Sequence, residues 1–413
     1  MHLQSVTTDE LASAVDERPM VLSPQVTESI SRVLRAIRQH LHMDIAFVTQ
    51  FLGSSRVFRT VDSNSPVEGV FPGSILPIAS GYCQHVVSGR LPELIPDTSR
   101  VPFAMGIAET ATIPIGAHLS VPIRLEGGRI FGTFCCFSHR AMPDLGEAEL
   151  DLMHTFSRLI AREMQDDVAR DERQQRIIRD VQLAMANGDP QIVFQPILRL
   201  ADNRIVGLEA LSRFRAEPYR TPDIWFHEAA EVGMGTMLEL MALRRVLQQA
   251  GNLPQDLSIH LNVSPAAVIS PELPAALAGF DPNRVIIEIT EHEPVADYEP
   301  ILDALMPLRA AGIRIAIDDA GAGYSSLRHV LMMRPDMVKL DVSLTRGLDS
   351  DPIRHAMAAA LTEFSRRTGT IIVAEGVETD AELAALRGLG VSEVQGYLIA
   401  RPQPAEDVLA KIA

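Results

Sequence analysis

Eight short apolar runs rich in β-branched residues recur from Ile192 onward: IVFQPI, IVGLEAL, LSIHLNV, RVIIEIT, IRIAIDD, DMVKLDV, TIIVAEG and SEVQGYLI. Stretches with helical spacing separate most of them. Runs this apolar bury both faces, as the strands of a parallel sheet do, and a parallel neighbour is reached only through a crossover, usually a helix. Eight such runs in about 220 residues predict an α/β fold, a (β/α)8-like barrel. One connection breaks the pattern. Between ILRL and RIVGLEAL stand only Ala201, Asp202 and Asn203. That is too short for a crossover, so the first two strands must pair as an antiparallel hairpin and the first strand is reversed.

Residues 22–140 read differently. They hold a helix (VTESISRVLRAIRQHL), a strand (MDIAFVTQFL), a middle rich in Pro and Gly, and two strands, AHLSVPIRL and RIFGTFCCFS, joined by an EGG turn. Helix with antiparallel hairpins predicts an α+β domain. At roughly 150 residues per domain, 413 residues make two or three domains. From Leu150 to Met185 there is no Gly or Pro, and apolar spacing early and late in the run predicts a helix. Its middle, QDDVARDERQQR, is almost entirely polar and reads as a solvated connector, with the domain boundary between 165 and 178. The division expected is a tail over 1–21, a first domain over 22–166, a helical linker over 167–187 and the barrel over 188–413.

Lys plus Arg number 37 against 53 Asp plus Glu, a formal charge of −16, which argues against a nucleic acid polymer or an anionic membrane surface as the main partner. The three cysteines include no CxxC and suit neither a disulfide framework nor a zinc site, so a reducing cytoplasm is the compartment expected. The start, MHLQSVTTDELASAVDE, carries acids and no apolar core, and no run of about 18 apolar residues occurs, so neither a signal peptide nor a membrane span is expected.

Chemistry in such a barrel sits where the strands end at their C-terminal side. There the runs place Glu209, Asn262, Glu288, Asp318 with Asp319, Lys339 and Glu375, on the second to seventh strands in turn. A single acid at a strand end is usually solvated or a helix cap. Seven polar groups at six consecutive ends are a site. Five are carboxylates, and their repulsion must be relieved by cations; Lys339 and two divalent metals supply +5 against −5. The donors are oxygens, which favours Mg2+ or Mn2+ over zinc. Two such ions about 3.5 to 4 Å apart suit in-line attack of water on a phosphodiester.

FQPIL, GLEALSRF with its Glu209-Ala210-Leu211, HLNVS, IEITE, IDDAGAGYSSL, VKLD, AEGVE and VQGY follow one another in this order. Over about residues 178 to 410 the chain thereby resembles the EAL-domain cyclic di-GMP phosphodiesterases. The resemblance implies a (β/α)8-like barrel with a reversed first strand and hydrolysis of cyclic di-GMP to linear pGpG. It further implies that Glu209, Asn262, Glu288 and Asp318 hold one metal. Asp318 would bridge to a second, bound also by Asp319 and, directly or through water, by Glu375. Lys339 would position and help deprotonate the attacking water, with Glu375 a base in the same step. Arg213 would hold a substrate phosphate, as a guanidinium fork suits, and Leu211, Gln195, Glu378 and Gln395 would line the nucleotide site. Glu291, Tyr324 and Ser325 would support the loop after Asp319. That loop departs from the usual DDFGTGYSSL, with Ala320 and Ala322 in place of Phe and Thr, which reads as tuned activity. The alternative is a weak or silent EAL domain acting as a cyclic di-GMP receptor. A homodimer is the family habit.

IRQHLHMDIAFVTQFL, GYCQHVVSGRLPELIPDTSR and AHLSVPIRLEGGRIFGTFCCFS resemble a GAF domain over about residues 22 to 166. The resemblance implies a sensor regulating the barrel and leaves its ligand open. Cys83 reads as a half-buried structural thiol. Of Cys135 and Cys136, adjacent in a strand, one is expected to face inward and the other outward.

Overall fold

A computed structural model describes residues 19–289, 297–320 and 324–412; of 319–320, 324–327 and 411–412 it describes the backbone alone. The chain divides between Arg173 and Gln174 into two compact units.

In the first unit, helix α1 (Pro24–His40) begins at Ser23, whose Oγ accepts the Val26 N–H, with Pro24 in the first turn where no N–H is needed. Six strands follow, β1 (Ile45–Leu52), β2 (Ser55–Ser63), β3 (Ile75–Pro77), β4 (Leu94–Ile95), β5 (Ala117–Arg124) and β6 (Ile130–Ser138). They form one antiparallel sheet in the order β3-β2-β1-β6-β5-β4. All eight residues of β1 are buried, because apolar side chains cover both faces of the sheet. Ala46 and Val48 pack with Ile30 and Leu34 of α1 on one face, and Phe47 packs with Phe58 and Tyr82 on the other. Cys135 and Cys136 therefore both lie fully buried, one in each of these two cores, and neither faces outward. Cys83, expected half-buried, is also fully buried.

Helix α2 (Glu147–Ala186) runs for 40 residues and the division between the units falls within it. Its polar middle is not simply solvated. Asp167 and Asp171 are each 4% exposed. Asp167 accepts the Ser23 N–H at 2.7 Å and pairs with Arg170 at 2.8 Å, the partners that a buried carboxylate needs.

In the second unit, Ile177, Val181 and Ala184 of α2 pack against Phe214 and Trp225. Trp225 lies on α3 (Pro222–Glu231), which is followed by α4 (Gly235–Ala250). The eight expected strands appear as β7 (Gln191–Arg199), β8 (Arg204–Arg213), β9 (Ser258–Val263), β10 (Val285–Ile289), β11 (Arg314–Ala320), β12 (Met337–Leu340), β13 (Ile371–Ala374) and β14 (Glu393–Val394). They close into a barrel in chain order, with β14 beside β7. All neighbours are parallel except those of β7, which runs antiparallel to β8 and to β14. The reversal turns on Asn203, held at φ 57°, while Asp202 accepts both Arg199 (2.7 and 3.0 Å) and the Arg204 N–H. Asn is among the few residues that tolerate this left-handed conformation.

Ile259, Ile287, Ile315 and Ile317 are fully buried in the core of this unit, each such side chain contributing about 1.5 to 3 kcal/mol. The opposite alternation faces the barrel interior, where Ile286, Ala316, Met337 and Val373 form a plug. Polar side chains can gather above that plug without opening the core to water. At the end of β11 the pairing with β12 slips, from Ile317↔Val338 to Ala320↔Leu340. Asp318 and Asp319 thus stand opposite the single residue Lys339, a bulge of the kind that re-aims side chains beside functional sites.

Candidate active site

Period-two alternation puts residues 207 and 209 of β8, 260 and 262 of β9, and 286 and 288 of β10 on the interior face, so the acids at the strand ends converge by register. Glu288 lies directly across from Asn262. Lys339 on β12 is fully buried among these acids. Its Nζ lies 2.6 Å from Glu375, 2.8 Å from Glu288, 3.2 Å from Asp318 and 3.5 Å from Glu209. Four carboxylates share one ammonium. Burial works against the Lys339 charge, but Asp318, Glu209, Glu288 and Glu375 outweigh it and hold its pKa well above the ordinary value. Burial pushes the Glu288 and Glu375 carboxyls up, against the pull of Lys339 and with the push of neighbouring acids.

A layer of uncharged donors supports these acids. Asn262 Nδ2 donates to Glu209 at 2.9 Å. Gln395 Nε2 donates to Glu209 and, at 3.0 Å, to Gln195, whose own Nε2 donates to the Ala400 carbonyl. Gln195 and Gln395, expected at the nucleotide, are thus tied to each other and to an acid of the cluster. His260, which the sequence reading passed over, sits directly below. Its Nδ1 is 2.7 Å from Glu288 and its Nε2 is 3.2 Å from Ser258 Oγ, and burial, aided by Lys339, lowers its pKa to about 3. The signal was present, since His260 alternates with Asn262 on the same face of one strand. Gly207 makes room for it: a Cβ there would lie 2.5 Å from Ser258 Oγ and 2.9 Å from His260 Nε2.

Beside the cluster, a cavity of about 480 Å³ opens between the ends of β8 and β9 and helices α3 and α4, lined among others by Leu211, Arg213, Asp223, Phe226, Glu239 and Asn262. Arg213 is exposed and its guanidinium donates to the Ser212 carbonyl. Glu378 forms an exposed pair with Arg346 at 2.5 Å. Glu291 and the side chains of Asp319, Tyr324 and Ser325 lie outside the described residues.

The donors are oxygens, and four carboxylates against one ammonium leave an excess of negative charge, so the set fits hard divalent cations in its chemistry. Among the described residues no three acidic, His or Cys side chains converge as a ready-made metal site. Lys339 stands at the centre of the acids instead.

Residues 178–402 match the EAL domain family and residues 25–164 the GAF domain family. An uncharacterized signaling protein of Caulobacter vibrioides is 32% identical over 329 residues, 78% of this chain and 39% of that protein. The cyclic di-GMP phosphodiesterase RocR of Pseudomonas aeruginosa is 30% identical over 253 residues, 56% of this chain and 62% of its own length. The chain thus spans less than two thirds of these relatives. Among solved structures, the PaMucR phosphodiesterase in complex with c-di-GMP is 29% identical with a TM-score of 0.50, over 56% of this chain and 99% of that one. An EAL domain protein of Listeria monocytogenes, 24% identical with a TM-score of 0.52 over 56% of this chain and 96% of that one, shares the fold. With more than half of its length matched, and a GAF domain ahead of the barrel, the chain belongs to the EAL domain family.

Proposed function

We propose that the chain is a metal-dependent phosphodiesterase that hydrolyses cyclic di-GMP to linear pGpG, with the GAF domain over 22–166 regulating the barrel over 188–413 through the helix between them. The observation that carries this reading is the convergence of Glu209, Glu288, Asp318 and Glu375 on Lys339 at the strand ends. Relatives named as cyclic di-GMP phosphodiesterases support the substrate.

Glu209, Asn262, Glu288, Asp318, Asp319 and Glu375 would hold two Mg2+ or Mn2+ ions. When bound, these supply the positive charge that acidifies water and stabilises the charge developing on a phosphodiester. Lys339, a fully buried ammonium, would orient the attacking water by donating to its oxygen. The Glu375 carboxyl, pushed up by burial, is matched to taking the proton that this water releases. Arg213 grips the phosphate, and the cavity between Leu211 and Phe226 takes a nucleobase. The protein is read as a cytoplasmic homodimer; among the described residues no helix is long and apolar enough to cross a membrane.

The test is incubation of the purified full chain with cyclic di-GMP and Mg2+ or Mn2+, followed by chromatography. Linear pGpG is expected with metal and not with chelator. Cyclic di-GMP that is bound yet intact after hours overturns the enzyme and leaves the receptor. In that event Ala320→Phe with Ala322→Thr tests whether the loop is the cause.

A further inference from the structure

The first unit holds a polar cluster that the phosphodiesterase reading does not use. Arg56 on β2 is 1% exposed. Its guanidinium pairs with Glu109, and its Nη1 donates to Cys83 Sγ at 3.1 Å. Gly81 accommodates it, since a Cβ there would collide with the guanidinium. Cys83 Sγ in turn lies 3.7 Å from Cys135 Sγ, although the two residues are 52 positions apart. Both sulfurs are fully buried, yet Cys83 is not sealed in apolar packing. A cavity of about 10 Å³ borders it, where Arg56, Glu109 and His118 stand among mostly apolar side chains, and this volume is at the lower bound for one water. His118, on that lining and 1% exposed, has no hydrogen-bond partner for its Nδ1.

We propose that Cys83 and Cys135 are a dithiol reactive towards hydrogen peroxide, with Cys83, beside the Arg56 guanidinium, as the attacking sulfur and Cys135 as the resolving one. The electrostatics divide the roles in the same direction. The hydrogen bond from Cys135, and after it the Arg56 charge, hold the Cys83 thiol well below its ordinary range against burial, while burial and the adjacent Cys83 push Cys135 up. The thiolate is the nucleophile, and a cationic neighbour is what favours it.

The chemistry balances without a cofactor. The Cys83 thiolate attacks one oxygen of hydrogen peroxide; an S–O bond forms, the O–O bond breaks, and the departing hydroxide takes up the proton that Cys83 released on ionising and leaves as water. The Cys135 sulfur then displaces hydroxide from the sulfenic acid, an S–S bond forms, and water leaves with the Cys135 proton. Two electrons pass from the dithiol to the peroxide. Cys136 is a built-in control: it faces the other core, beside Met153 Sδ at 3.8 Å, and burial raises its thiol far above the ordinary range.

The full chain, with its three free thiols, is exposed to one equivalent of hydrogen peroxide, quenched into denaturant with an alkylating agent, and read by intact mass and peptide mapping. Alkylatable thiols are expected to fall from three to one, with a Cys83–Cys135 linkage that dithiothreitol reverses and with Cys136 at least about tenfold slower to oxidise. In Cys135→Ser, Cys83 is expected to stop at a sulfenic acid trapped by dimedone; in Cys83→Ser, both remaining thiols persist. Three thiols retained in the wild type, oxidation led by Cys136, or a linkage between chains each overturns the proposal. The wild-type count decides even where a variant does not fold.

Discussion

Lys339 Nζ lies 2.6 Å from a Glu375 carboxylate oxygen, closer than to Glu209, Glu288 or Asp318. Lys339 is the penultimate residue of β12 and Glu375 directly follows β13, strands that pair in register from Met337 to Leu340. The contact joins a buried cation to a carboxylate whose proton affinity burial has raised. Under the proposed function, these two residues would orient a water and accept its proton.

Removing the cation exposes what it offsets. Lys339→Met leaves four carboxylates around an uncharged side chain, and breaking such a buried pair costs about 3 to 5 kcal/mol. Urea unfolding of the metal-free variant should show a loss of this size, and turnover should be abolished. Added Mg2+ or Mn2+ should stabilise the variant more than the wild type. An unchanged unfolding midpoint would contradict the electrostatic account.

Glu209 accepts from Asn262 and Gln395 and faces Lys339. Glu209→Ala removes a carboxylate assigned to the metals, so the loss in turnover should exceed the about 10- to 100-fold typical of outer partners. Calorimetric titration with Mn2+ should show weakened binding in the same variant. Near-normal activity would take Glu209 out of the site.

His260 holds one oxygen of Glu288 at 2.7 Å while Lys339 holds the other at 2.8 Å. His260→Ala frees that oxygen and should lower metal affinity about 10- to 100-fold, with Gln at this position restoring part of it. Equal affinity in wild type and His260→Ala would reduce the histidine to packing.

Arg213 ends β8 exposed, beside the cavity. Arg213→Lys keeps the charge but loses the planar fork, so KM should rise about tenfold with kcat nearly unchanged. A fall in kcat at constant KM would place Arg213 at the reacting phosphate in the transition state alone.

Burial, with the charge of Arg56, lowers the His118 pKa from 6.5 to about 3. The unfolded chain therefore takes up this proton first. Stability from the neutral ring is present above pH 6.5 and is lost as pH falls towards 3, by up to about 1.4 kcal/mol per pH unit. His118→Phe should flatten the dependence of unfolding free energy on pH between 7 and 5, measured against the wild type. Parallel curves would mean that His118 binds its proton equally in the folded and unfolded chain.

By itself the sequence determined what local rules govern. Short apolar runs rich in β-branched residues, separated by helical spacing, set the number of barrel strands, and a three-residue connection forced the first strand to reverse. Strand-end positions marked Glu209, Asn262, Glu288, Asp318, Lys339 and Glu375, because position along a strand is a property of a single segment. Tertiary structure alone decided which of these residues touch. Barrel closure brings Gln195 to Gln395 across 200 positions, seats His260 beneath Glu288, and leaves Glu378 paired with Arg346. It also decided what the charged middle of α2 does, since Asp167 is buried by the Ser23 N–H that reaches it from 144 positions away. In the sheet of the first unit, apolar layers on both faces buried two neighbouring cysteines and set one of them against Cys83. Pairing partners separated by this much chain leave no local pattern, because the contact depends on how whole elements pack and not on what each one prefers.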